Sequence, residues 1–134
     1  MEYGCIVGGA KLILVMGHTH SGLVELAMNQ FCLESNVPQN PNCPHLGPIL
    51  NQIRESIDSS ECRDYRQATP DQRRKFIDEV SRRNVARCVQ QIVQTSPAIR
   101  QLVDGQQLAV VGALFDVNSG RVEFLEESIA GSSS

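Results

Sequence analysis

Five consecutive apolar residues, Leu12-Ile-Leu-Val-Met16, run into Gly17 and then into a cluster of polar side chains, His18, Thr19, His20 and Ser21. Gly22 opens a second apolar stretch, Leu23-Val-Glu-Leu-Ala-Met28, with helical spacing. A short apolar run that ends at a glycine and is followed by a helix reads as a buried parallel strand feeding an α/β crossover. In open α/β sheets ligands bind beyond the carboxyl ends of the strands, so chemistry is expected at this junction.

The rest of the chain supplies elements for that sheet. Tyr3, Ile6 and Val7 fit one face of a short helix ended by Gly8-Gly9. The run from Gly22 to Leu33 is expected to be helix, and Ser35 to Pro48, with four prolines and three asparagines, a loop. Leu46, Ile49, Leu50, Ile53 and Ile57 give an amphipathic helix with Pro48 in its first turn. Asp58 to Ala68 reads as polar and irregular. Thr69-Pro70-Asp71-Gln72 is a helix start with an N-cap, proline at the first position and a capping-box glutamine. That helix should reach Gln94, burying Phe76, Ile77, Val80, Val85, Cys88, Val89, Ile92 and Val93. Arg73, Arg74, Lys75, Arg82 and Arg83 would form its solvated face. Asn84 interrupts the apolar stripe and is expected to be a buried amide tying loops together.

Ser96-Pro97 starts a shorter helix that stops near Gly105. Leu108 to Phe115 is a second continuous apolar strand, expected to be buried on both faces. Asp116 to Gly120 is a turn, and Arg121 to Leu125 alternates as an antiparallel edge strand. The implied fold class is α/β, with one domain over 1–127 and a small polar tail over 128–134.

Composition removes several functions. A formal charge of -3 over 134 residues provides no basic face for nucleic acid or anionic membrane. No apolar run approaches the ~18 residues of a membrane span, and no cationic and apolar leader is visible. Five cysteines, Cys5, Cys32, Cys43, Cys62 and Cys88, are scattered without a CxxC pair. A secreted chain would have one thiol left over, so the expectation is free thiols in a cytoplasmic protein.

The chain resembles the β-class carbonic anhydrases. The matching residues are Met1-Glu-Tyr-Gly4 with Gly9-Ala-Lys-Leu-Ile-Leu-Val-Met-Gly-His-Thr19, then Phe76-Ile-Asp-Glu-Val80 with Asn84-Val85. Val111-Gly-Ala-Leu-Phe-Asp-Val-Asn-Ser-Gly-Arg-Val-Glu-Phe-Leu125 completes the set in family order. The resemblance implies a truncated three-layer α/β fold with a mostly parallel central sheet and an antiparallel edge hairpin. In the family, zinc is held by two Cys and one His, and it lowers the pKa of bound water to about 7 so that hydroxide attacks CO2.

One Cys belongs to a Cys-x-Asp-x-Arg motif on an earlier strand, whose Asp and Arg form a dyad beside the metal. The His and the second Cys come from Gly-His-x-x-Cys-Gly. Here that motif reads Gly17-His18-Thr19-His20-Ser21-Gly22: His18 matches the ligand His, and Ser21 stands at the Cys position. The Cys-x-Asp-x-Arg motif is not in these 134 residues, and the expectation is that the first two strands of the family sheet are missing with it. The resemblance therefore implies His18 as the one zinc ligand retained, and no catalytic residue.

The function expected is a degenerate domain without zinc or CO2 hydration, acting as an assembly or regulatory module. The alternative is a zinc-dependent carbonic anhydrase whose missing ligands come from an N-terminal segment or a partner. A rebuilt site from His18, His20 and a stray thiol, or from Cys43 and His45, is disfavoured. A small-anion binder using the strand-end pocket and the helix start near Gly22 is a third reading. Family members are dimers or larger, so a homodimer or higher oligomer is expected to cover the exposed edge of the Leu12–Met16 strand. Asn42-Cys-Pro-His-Leu46 resembles the versions fused behind SulP-type anion transporters, which implies association with a transporter.

Overall fold

The structure, a computed structural model, describes residues 1–34 and 45–130, the last five by backbone alone. The proline-rich segment 35–44, with Cys43, and the tail residues 131–134 lie outside the described residues. The chain divides into two compact units, Met1–Gly17 with Val85–Ser134, and His18–Asn84.

The first unit contains helix α1 (Glu2–Ile6) and a small mixed sheet of β1 (Leu12–His18), β2 (Ala109–Phe115) and β3 (Val122–Ala130), in the order β1-β2-β3. β2 and β3 are the expected antiparallel hairpin, with Gly112 opposite Leu125 and Phe115 opposite Val122. Asp116 builds the turn between them: its Oδ1 accepts the Asn118 N–H at 3.0 Å, and its carbonyl accepts the Gly120 N–H at 2.8 Å. Gly120 takes φ +73°, a conformation L side chains rarely adopt. β3 runs on to Ala130, five residues past the expected end at Leu125.

The apolar run of β1 alone reads as a buried strand, whereas the loss of the family's first two strands implies an exposed edge and face; the face is open in the structure, with Leu12, Leu14 and Met16 exposed while Ile13 and Val15 pack inward. An apolar run is covered on two faces only where helices pack on both sides of the sheet, and among the described residues the side of β1 that carries Leu12, Leu14 and Met16 is left open. In α1 the apolar residues Tyr3, Ile6 and Val7 are exposed, and Cys5 is the side chain that reaches the core. That core joins Cys5, Val89, Ile99, Val103, Leu108 and Val110, with Ile13, Val15 and Ile92 against it. β2, in the middle of the sheet, is largely buried as expected. Helix α6 (Pro97–Asp104) starts at Ser96, whose Oγ accepts the Ile99 N–H at 3.2 Å.

The second unit is helical: α2 (Gly22–Cys32), α3 (Leu46–Arg54), α4 (Glu61–Gln67) and the first part of α5 (Pro70–Thr95). Thr69 and Gln72 form the capping box at the start of α5, Thr69 N–H to Gln72 Oε1 at 3.0 Å and Gln72 N–H to Thr69 Oγ1 at 3.3 Å. Val24, Ala27, Met28, Leu50, Ile53, Ile57, Tyr65, Ile77 and Val80 make one core.

α4 corrects the reading of 58–68 as irregular. It is too short and polar for a periodicity signal, and it is held by tertiary contacts rather than by helix propensity. Tyr65, 1% exposed, donates its hydroxyl proton to Asn29 Oδ1 at 2.6 Å. Cys62 is disulfide-bonded to Cys32 at the end of α2. The expectation of five free thiols is thereby corrected; Cys5 and Cys88 are free.

The arginines of α5 are likewise not a uniform solvated face. The Arg73 guanidinium lies 5.0 Å from the centroid of the Tyr65 ring and donates to the carbonyls of Tyr65 at 3.0 Å and Arg66 at 3.1 Å. Arg83 donates to the Ser56 carbonyl at 3.1 Å and to Glu61 Oε2 at 2.7 Å. Its Nη1 lies 2.6 Å from Glu61 Oε1, but out of line for a hydrogen bond, so that contact is ionic. Periodicity placed both arginines outside the apolar stripe, and both flank it with charge-assisted bonds to the ends and turns of neighbouring helices. Arg74 and Lys75 are exposed as expected.

Candidate functional site

The strand-to-helix junction is built within seven residues. β1 ends at His18, and the backbone leaves the extended conformation at His20, which takes φ +55°. A histidine in the left-handed region is uncommon and needs support. Its N–H donates to Asp78 Oδ1 at 3.0 Å, from α5. Ser21 then adopts an extended conformation, φ -68° and ψ 119°, and serves as the N-cap of α2. Its Oγ accepts the Val24 N–H at 3.3 Å, and the residue is 9% exposed.

His18 is exposed. Its Nδ1 lies 2.9 Å from the Thr19 carbonyl oxygen. A carbonyl can only accept, so Nδ1 holds the proton and the lone pair is on Nε2. The positive φ of His20 breaks the period-two alternation that would set both imidazoles on one side of an extended strand.

Tight zinc binding requires at least three protein ligands, and thiolate or imidazole donors are the ones that compete with water. The junction offers two imidazoles, His18 and His20, no thiolate, and the Ser21 hydroxyl, which is a poor zinc donor near neutral pH and is already engaged as a cap. Among the described residues no group of three or more His, Cys, Asp or Glu side chains is placed to hold a metal ion. The described residues do not fit the metal. Cys43 lies outside them, and His45, at the start of α3, provides no side-chain cap.

Beside the junction a cavity of about 390 Å³ is lined by His20, Glu25, Pro70, Arg73, Arg74 and Ile77. It presents two guanidinium groups, one carboxylate and an imidazole, and no nucleophile. Arg74 is 3.7 Å from Asp71, with both side chains well exposed.

Asp78 is the residue that sequence reasoning missed. It lies inside the Phe76–Val80 stretch that carries the family resemblance, but no local pattern reveals that its carboxylate accepts from a backbone N–H 58 residues away. Asn84 is half-buried rather than buried, and the Ser56 hydroxyl donates to its Oδ1 at 3.1 Å.

Among the described residues of this unit, three groups elsewhere have displaced pKa values. Burial raises that of the Tyr65 phenol, because the charged form is poorly solvated. The hydrogen bond to Glu61 raises that of Arg83. The backbone N–H of Ser60 lowers that of the Asp58 carboxyl by stabilising the anion. None lies in the strand-to-helix junction.

A family model described as carbonic anhydrase matches residues 1–122. Among solved structures, a β-carbonic anhydrase of Aspergillus fumigatus, CafA, aligns with TM-score 0.72 at 20% identity, over 94% of this chain and 53% of its own. A tetrameric β-carbonic anhydrase of the filamentous ascomycete Sordaria macrospora aligns with TM-score 0.69 at 21% identity, over 93% of this chain and 57% of its own. The β-carbonic anhydrase CcaA aligns with TM-score 0.59 at 20% identity, over 93% and 55%. This chain thus spans little more than half the length of the structures it is similar to. A comparison with curated proteins returns no match.

Proposed function

Because this chain belongs to the β-class carbonic anhydrase family, we propose that its 134 residues are a degenerate domain of that family. In this reading they neither bind zinc nor hydrate CO2, and they act as an assembly or regulatory module. One observation carries the reading. At the motif position of a ligand Cys stands Ser21, whose oxygen is spent on the backbone of α2. A cap of this kind stabilises a helix by about 1 kcal/mol, so the residue has a structural role independent of metal.

A second reading has its own support. His18 is exposed with its Nε2 lone pair available, so it could be one ligand of a zinc completed by a segment of a longer protein or by a partner. CO2 and bicarbonate, the family's substrate pair, would then be the substrates. Metal analysis and stopped-flow CO2 hydration of the purified chain separate the two. The expected result is sub-stoichiometric zinc and no rate above buffer. Stoichiometric zinc that disappears in His18→Ala, with CO2 hydration, would overturn the first reading in favour of the second.

Self-association is part of the proposal, supported by the exposed apolar residues of α1 and β1. Association with an anion transporter is supported only by the resemblance of segment 42–46, most of which lies outside the described residues. Among the described residues no helix is long and apolar enough to cross a membrane. A cytoplasmic location also belongs to this reading, and the Cys32–Cys62 bridge is the observation that weighs against it.

A further inference from the structure

The cavity of about 390 Å³ beside the strand-to-helix junction lies wholly within the helical unit and takes no part in the function proposed above. Small-molecule sites run from ~300 to ~1,000 Å³, so this one suits a ligand of metabolite size rather than a lone ion. Its wall is chemically two-sided. Arg73 and Arg74, in the opening turns of α5, supply positive charge, and Glu25 of α2 supplies a carboxylate. Pro70 and Ile77 add apolar surface, and His20 is held in the wall by the bond from its N–H to Asp78.

Arg73 is fixed before any ligand arrives. Its Nε donates to the Tyr65 carbonyl at 3.0 Å and its Nη2 to the Arg66 carbonyl at 3.1 Å, and the guanidinium lies 5.0 Å from the centroid of the Tyr65 ring. Nη1 is engaged in neither of these bonds, and it brings two of the N–H donors of a guanidinium. A group pinned in this way loses little side-chain freedom on binding. Arg74 is the adaptable partner. Its contact with Asp71, at 3.7 Å between side chains 61% and 90% exposed, is a weak solvated pair that a ligand carboxylate can replace at little cost. Two guanidiniums lining one small cavity suit the planar, two-oxygen geometry of a carboxylate.

A bare anion suits this wall poorly, because Glu25 repels it. The carboxylate stands near the arginine: behind burial, the main cause of the raised Tyr65 pKa, Arg73 and Glu25 act on the same phenol with opposite sign. The ligand that satisfies both charges carries a carboxylate and an ammonium a short distance apart. Inorganic anions, dicarboxylates and simple amines each leave one side of the wall without its counter-charge. We propose that this cavity binds a small free α-amino acid as its zwitterion, with the carboxylate on Arg73 and Arg74, the ammonium on Glu25, and an aliphatic side chain against Pro70 and Ile77. The site uses neither His18 nor Ser21, so it goes beyond the degenerate-domain reading and is independent of zinc.

Calorimetry and amide chemical shifts of the 134-residue chain test it, with L-leucine and with the two halves of leucine, isocaproate and isoamylamine. Leucine should bind saturably at millimolar concentration or below, shifting the amides of His20, Glu25, Arg74 and Ile77. Each half should bind at least about 10-fold more weakly. Glu25→Gln should weaken leucine at least about 10-fold and tighten isocaproate, because the repulsion goes with the charge. Arg74→Gln should weaken leucine and isocaproate about 3- to 10-fold and leave isoamylamine unchanged. Both side chains are exposed, so both variants keep the fold, which urea unfolding checks.

Isocaproate or inorganic phosphate binding as tightly as leucine, and tighter still in Glu25→Gln, would make this a plain anion site and overturn the proposal. Shifts confined to residues outside the cavity would overturn it too, as would the lack of a saturable shift with both leucine and glycine.

Discussion

The Cys32–Cys62 bridge closes a loop of sequence separation 30, joining the end of α2 to the start of α4. Opening it returns that loop's freedom to the unfolded chain. In the chain-entropy account, a loop of this length contributes about 3.6 kcal/mol near 25 °C, within the usual 2–5 kcal/mol for loss of a native disulfide. Cys32 and Cys62 are 1% and 5% exposed and sit in the core with Met28, Tyr65 and Val80. Replacing both by Ala therefore also leaves a small void, which adds to the loss. Urea unfolding of the oxidised chain, the reduced chain and the double Ala variant should show losses of about 3–4 kcal/mol on reduction and slightly more in the variant. The loss should fall on the unit spanning His18–Asn84, seen as faster amide exchange at Cys62, Tyr65 and Arg66. Thiol titration of the unfolded, unreduced chain should find no more than three of the five thiols. Five titratable thiols, or a stability change on reduction below about 1 kcal/mol, would refute the reasoning.

Other perturbations have equally definite outcomes. Ser21→Cys should not confer zinc binding and should cost about 1 kcal/mol through loss of the α2 cap, read by metal analysis and urea unfolding. Arg83→Met removes the bonds to the Ser56 carbonyl and Glu61 and leaves a mostly buried carboxylate unpaired. With the pair partly solvated, the loss should be about 1–3 kcal/mol, and a joint Arg83→Met, Glu61→Leu variant should recover part of it. The raised pKa of Tyr65 means that the folded state holds its phenolic proton longer than the unfolded state does. Its contribution is whole below pH 10.0, the ordinary value, and is lost as pH rises from there through the folded pKa. Ultraviolet titration should show one tyrosine ionising late in the native chain, and Tyr65→Phe should abolish that phase. Asp58, lowered by the Ser60 N–H, has the opposite sign: its contribution is present above about pH 4 and lost below it, and carbon-detected titration of the carboxyl should place it under the ordinary carboxylate value.

What the sequence by itself determined is everything that rests on local chemistry. The capping box at Thr69, the Ser96 cap, the turn at Asp116–Gly120 and the apolar run of β2 all stand where composition and spacing set them. Each is decided within four or five residues, by a side chain bonding its own backbone or by a period. The same holds for the altered motif, since Ser21 in place of a Cys is a fact of covalent structure. What only the tertiary structure decided depends on residues far apart in the chain. Cys32 and Cys62 pair across 30 residues, Arg73 and Arg83 hold neighbouring helices, and Asp78 supports a left-handed His20 from 58 residues away. The exposure of β1 belongs to this second class. Five apolar residues specify a strand, but which of its faces is covered depends on what packs against the sheet, and here Leu12, Leu14 and Met16 are left exposed.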